Sequence, residues 1–170
     1  MHTFNPRQLV PGFYHTWPFT LHIEFDDMYT QIDQIIEQIF HDKDELIVVV
    51  NTFPSYRKRQ QSPRLLERFL KNKALKYTMT TNETEFTFDE EQYIAVQFQL
   101  TCQVKDIYLR KLLYACAHAD YRIHPYFKRG AAYFSPDVFI YNVTKETVLH
   151  VYDDRGCELM FQYEEMTALE

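Results

Sequence analysis

Five consecutive residues, Tyr152-Asp153-Asp154-Arg155-Gly156, put two carboxylates and a guanidinium into one tight turn. Arg155 can grasp an anionic group with two parallel N–H donors while the acids orient it. Hairpin turns select the same residue types for their own closure, because Asp accepts from nearby backbone N–H groups and Gly tolerates the bend. One aspartate pair offers too few oxygens for a hard metal ion, so no metal site is expected. A second candidate lies near the front. Phe19 to Phe25 alternates, which places His22 and Glu24 on one strand face. They have the chemistry of a general acid and base, and equally of an ordinary polar strand face. His150 and Tyr152 share a face on a later strand. If the two strands are neighbours, His22, Glu24, His150 and Asp153 converge.

Other combinations are poorer. His118 and His124 stand six apart, which is no zincin spacing. Ser55, Ser62 and Ser135 have no nucleophile-elbow context. Cys102, Cys116 and Cys157 match no paired metal spacing and no nucleophile signature. The only glycines, Gly12, Gly130 and Gly156, are too scattered for a P-loop or a dinucleotide fingerprint.

Charge supplies two further sets. The stretch Tyr56-Arg57-Lys58-Arg59 sets an aromatic beside three cations, a possible anion-binding patch. Glu83, Glu85, Asp89, Glu90 and Glu91 form an acidic run that a basic partner surface would meet. The 18 basic and 24 acidic residues leave a net charge of −6. That balance, with no RNP-like or zinc-finger motif, argues against nucleic-acid binding.

The elements that position these groups follow from periodicity. Phe19–Phe25 reads as a half-buried strand. Asp26 or Asp27 caps a helix whose stripe is Met28, Ile32, Ile35, Ile36, Ile39 and Phe40, ending near His41. Leu46–Val50 is apolar at every position, as an interior strand requires, and completes a unit of βαβ size. Ser62 before Pro63 starts a further helix. Tyr77–Thr81 and Glu85–Thr87 read as short strands about a turn at Asn82, and Tyr93–Leu100 as a firmer one. Asp106 caps the helix that buries Leu109, Leu112, Leu113 and Cys116. His118–Arg129 reads as a loop. The final third holds β-segments at Ala131–Phe134, Val138–Val143, Val148–Tyr152 and Cys157–Gln162, the last three forming a meander. Gly156, at the end of its turn, suits a positive φ.

A chain of 170 residues has the size of a single domain, here an irregular lead-in (1–18) and an α+β core (19–162). Its 28 aromatics supply a core. The expected fold is α+β, a largely antiparallel mixed sheet with about three helices packed on it. No secretory signal is visible, and the longest apolar run is far too short to cross a bilayer. A cytoplasmic location is expected, with no cofactor and no membrane association.

The closing Tyr152–Gly156 turn, with Val138–Asn142 before it and Leu21–Phe25 followed by its helix, resembles a small bacterial domain family of unknown function. The resemblance covers roughly residues 19–162 and implies no assigned activity. Small acidic α+β bacterial proteins of this kind look like immunity proteins of toxin systems, an analogy of size and charge. The leading expectation is therefore a non-enzymatic interaction module. It would neutralise a protein partner through Tyr152, Asp153, Asp154, Arg155 and the acidic set. The alternative is a small enzyme that holds an anionic substrate on Arg155, with His22, Glu24 or His150 as acid and base.

Overall fold

The computed structural model describes residues 4–53, 64–127 and 135–162. Alternation in the first strand is realised as β1 (Phe19–Glu24), with Thr20, His22 and Glu24 exposed and the apolar residues half-buried. Asp27 is the cap of α1 (Met28–Ile39): its carboxylate accepts from the Thr30 N–H at 3.3 Å and from the Thr30 hydroxyl at 2.8 Å. The stripe Ile32, Ile35 and Ile39 is buried, each side chain contributing roughly 1.5–3 kcal/mol. Helix α1 stops at Ile39 and Phe40 closes it.

The apolar run becomes β2 (Glu45–Thr52), followed by the short α2 (Arg64–Glu67), β3 (Thr80–Phe88) and β4 (Glu91–Gln103). Next come α3 (Leu109–Ala117), β5 (Asp137–Asn142), β6 (Thr147–Asp153) and β7 (Gly156–Phe161). The strands form one sheet in the order β1-β7-β6-β5-β2-β4-β3, and every neighbouring pair is antiparallel. The α+β fold with its C-terminal meander is as the sequence predicts. The βαβ spacing is different in kind from an adjacent parallel pair. Strands β1 and β2 point the same way, but β7, β6 and β5 stand between them.

Three local expectations change. Asn82 is not a turn, because β3 runs unbroken through it. The chain reverses at Asp89 and Glu90, with φ of 50° and 66° and Phe88 paired to Glu91. A two-residue hairpin loop wants positive φ at both positions, and two acidic residues give no sequence signal of it. Asp106 does not cap α3. Its carboxylate accepts from the Gln103 N–H at 3.0 Å and closes a 3-10 turn at Val104–Asp106. Gly156 does not take a positive φ; among the described glycines only Gly12 does, at 80°. The helix start at Ser62–Pro63, the strand at Ala131–Phe134 and the cations Arg57, Lys58 and Arg59 lie outside the described residues.

The sheet has two covered faces. Helices α1 and α3 bury Val48, Val50, Ile140, Leu149, Cys157 and Leu159 on one side. The lead-in covers the other, where Leu9 packs with Val49, Phe139, Tyr141, Val148 and Met160. It is pinned by polar contacts: the Leu9 carbonyl accepts from Asn51 at 2.9 Å and Gln97 at 3.2 Å, and the Trp17 indole donates to the Phe161 carbonyl at 2.6 Å.

A buried carboxylate ties α1 to the meander. Asp44 accepts from the Asn142 amide at 2.9 Å and the His41 N–H at 3.0 Å, with the Lys145 ammonium 4.0 Å away. Burial alone would raise its pKa, but the hydrogen bonds and the Lys145 charge outweigh it and hold the carboxyl below its ordinary 3.8. A depressed carboxylate stabilises the fold above its unfolded pKa, and that stability is lost as pH falls through the folded one. Asp44→Ala is expected to cost about 1–3 kcal/mol at neutral pH. Asp44→Asn should flatten the loss of the urea midpoint on acidification below about pH 4; an unchanged acid slope would exclude this role.

Candidate functional site

Strand register builds the site. On the lead-in side of the sheet, His22 of β1 lies opposite Glu158 of β7, Glu158 opposite His150 of β6, and His150 opposite Phe139 of β5. This single row fixes four side chains across four strands, since alternation forces them onto one face. His22 Nδ1 is 2.8 Å from Glu158 Oε1, and His150 Nε2 is 2.5 Å from Asp137 Oδ1. The His150 ring stacks on Phe139, with centroids 4.3 Å apart and planes 17° apart. His150 and Glu158 are buried, whereas half of the His22 side chain is exposed. Tyr152 lies parallel to His22 at 6.0 Å between ring centroids.

His22, Asp137, His150, Tyr152 and Glu158 line a cleft of about 910 Å³. Its floor comes from β1, β5, β6 and β7, and its walls from Tyr14 on the lead-in, the Asp153–Arg155 turn and Phe88 at the β3–β4 tip. His22, Glu24, His150 and Asp153, expected to converge if their strands were neighbours, all line this cleft, although β7 stands between β1 and β6; Arg155 lies on it as well. Sequence reasoning misses several members, the strand carboxylates Asp137 and Glu158 among them. Their signal is slight: a carboxylate at the edge or in the middle of an otherwise apolar strand, such as Cys157-Glu158-Leu159.

Electrostatics in the cleft are acidic. Glu24, Asp26, Asp137, Asp153, Asp154 and Glu158 face one guanidinium, that of Arg155. That guanidinium is engaged: Asp153, itself buried, accepts from Arg155 Nε at 2.8 Å, from Nη2, and from the Arg155 backbone N–H at 2.8 Å. The Arg155 side chain still reaches outward, 79% exposed. The turn is stitched to the strand-helix junction, since the Phe25 N–H donates to the Arg155 carbonyl at 2.8 Å. Asp154 is hydrogen-bonded to Tyr121. Burial, with Glu158 and Asp137 nearby, pushes the Tyr14 phenol up. Burial and the charges of Asp153 and Glu158 do the same to Tyr152. Both phenols stay protonated at neutral pH and can donate.

The acidic run does not join the site as a unit. Strand β3 is at the sheet edge opposite β1. Glu83 and Glu85 lie along it outside the cleft, while Asp89, Glu90 and Glu91 follow Phe88 at its rim. His118 is structural: buried, it bonds Tyr29 at 2.9 Å and the Pro125 carbonyl at 2.7 Å. The cysteines are buried, and burial pushes the Cys102 and Cys157 thiols up to about 12, so neither supplies a thiolate nucleophile. Among the described residues, no group of three or more His, Cys, Asp or Glu is placed to hold a metal ion. No described helix is long and apolar enough to cross a membrane.

A family model described as a domain of unknown function (DUF3885) matches residues 1–167. The chain belongs to the DUF3885 family. The resemblance to a family without assigned function is thus correct at that level. This DUF3885 chain is also similar to the Uncharacterized protein YnaE of Bacillus subtilis (strain 168), at 28% identity over 92% of the chain and 84% of the relative. No solved structure matches the DUF3885 chain.

Proposed function

We propose that this DUF3885 chain is a cytoplasmic, non-enzymatic binding module whose cleft receives a basic segment of a protein partner. In the manner of an immunity-type protein, it would cover a working surface of that partner. The observation that carries this reading is the imbalance of six carboxylates against one engaged guanidinium in a cleft of about 910 Å³. Low-dielectric walls strengthen that field and favour an incoming cation. Tyr14, Phe25, Phe88 and Tyr152 supply apolar and π surface for the stem of a Lys or Arg side chain.

The alternative is an enzyme, and the Asp137–His150 pair favours it, because a carboxylate orienting an imidazole is the arrangement of a general base. An anionic substrate fits this cleft poorly. Its acids repel anions, and Asp153 competes for Arg155. Charge reversal distinguishes the readings. A complex with the product of a neighbouring gene should survive His22→Ala and weaken with salt. It should lose about tenfold in affinity on Glu24→Lys or Asp154→Lys. A complex indifferent to those reversals would overturn the proposal.

A further inference from the structure

Glu83 and Glu85 stand apart from the cleft, on a strand paired along one side only. Strand β3 is nine residues long and forms the sheet edge opposite β1. Register settles which of its backbone groups face outward. The Val104 N–H donates to the Asp44 carbonyl at 3.2 Å, next after the Gln103–Glu45 pair. Bonding alternates along an antiparallel pair, so the even-numbered residues of β4 bond β2 and the odd-numbered ones bond β3. Their partners are Thr80, Asn82, Thr84, Phe86 and Phe88. The two-residue turn at Asp89 and Glu90, closed by Phe88 and Glu91, requires the same phase. The N–H and C=O groups of Thr81, Glu83, Glu85 and Thr87 therefore point away from the sheet. Among the described residues nothing is bonded to them. The side chains of the same residues share one face and are exposed.

We propose that this edge receives a basic strand of a protein partner by β-augmentation, an interaction separate from the cleft and independent of the reading above. An added strand takes the free ladder groups as its hydrogen-bond partners. Residues opposite each other in such a ladder hold their side chains together on one face. The partner residues set against Glu83 and Glu85 therefore alternate along their own strand, and opposite charge at those positions is favourable. Lysine or arginine at every second residue is the pattern that fits. Asp89 and Glu90, just past the end of β3, extend the negative field along the edge. A second copy of this chain does not fit. Antiparallel registers centred on the strand set Glu83 against Glu83, Glu83 against Glu85, or Glu85 against Glu85, and like charges directly opposite repel. A parallel in-register pairing does the same. Charged side chains on an edge keep sheets from pairing with themselves; here the acids that exclude a copy also select a cationic strand.

The test uses the full ¹⁵N-labelled chain and a backbone-cyclised β-hairpin peptide. One strand of the peptide carries lysines at the positions whose N–H groups face outward, with threonines between them. Cyclisation lowers the cost of ordering that strand. In the free protein, the amides of Thr81, Glu83, Glu85 and Thr87 should exchange with solvent faster than those of Asn82, Thr84 and Phe86. Saturating peptide should slow exchange at Glu83 and Glu85 about tenfold. N-methylation of the lysine amides keeps the charge but removes the ladder donors, and should lower affinity about tenfold. Glu85→Lys should also lower it about tenfold. Slow exchange at Glu83 and Glu85 in the free protein would mean that the edge is already covered. Protection that grows with protein concentration alone would mean that a second copy covers it. Binding that leaves those amides unprotected, or that ignores N-methylation, would be attraction by charge alone. Each of these results overturns the proposal, as does no binding at millimolar peptide. All are read on the unsubstituted protein, so none depends on a variant that folds. A peptide that moves the His22 and Tyr152 side-chain signals instead of the β3 amides occupies the cleft, and then the edge assignment falls while the cleft reading stands.

Discussion

Gly156→Ala is expected to lower stability by about 3 kcal/mol and to loosen β1 from the sheet. A Cβ at Gly156 would sit 2.3 Å from the Ile23 carbonyl oxygen and 2.6 Å from the Tyr152 hydroxyl. Tyr152 can rotate, but the carbonyl is backbone, held by the pairing of Ile23 with Cys157 and Glu24 with Gly156. Relief therefore requires β1 to move as a strand. The same movement separates His22 from Glu158, since both lie on that ladder. Gly12→Ala provides the contrast. Its Cβ would meet only ordinary contacts, the nearest 3.5 Å away, and its φ of 80° is the sole penalty, about 1 kcal/mol. Urea midpoints of the two variants separate the two effects. Equal losses would mean that close approach at Gly156 is not what excludes a side chain there.

Phe139→Ala should be comparably severe, about 3–5 kcal/mol. Phe139 is fully buried among Leu9, Val49, Tyr141, Val148 and Met160, under the lead-in. Its removal leaves a cavity between sheet and lead-in, and also takes away the surface on which His150 lies. Phe139→Leu keeps most of the volume and should cost about 1.5 kcal/mol or less, yet it removes the stack. The pair of variants therefore separates packing from ring placement. In Phe139→Leu the protein should stay folded with an altered His150 imidazole spectrum. An unchanged spectrum would show that Asp137 alone orients the ring.

Much of the fold was legible in the chain because its signals are local. Alternation in Phe19–Glu24 and the helical stripe of Ile32, Ile35 and Ile39 each place apolar surface on one side of an element, whatever lies opposite. The continuous apolar run at Leu46–Val50 announced a strand covered on both faces, and β2 sits between β5 and β4. The misread positions are those where local chemistry is ambiguous. Asn82 is a turn former by type, but pairing with Gln97 along a long hairpin keeps it in β3. Asp89 and Glu90 carry the actual reversal without the glycine that would advertise it. Asp106 is a capping residue that caps a different turn.

The composition and patterning of the sequence were enough to determine an acidic α+β chain, its strands and helices, and the chemical types available on each strand face. Only the tertiary structure decided that β7 enters between β1 and β6, so that Glu158 stands between His22 and His150. It alone decided that Asp137 meets the His150 ring, and that the lead-in closes the second face of the sheet. Periodicity records which way a side chain points relative to its own strand. Which strand lies alongside depends on the summed burial of residues more than a hundred positions apart, and no local window contains that sum.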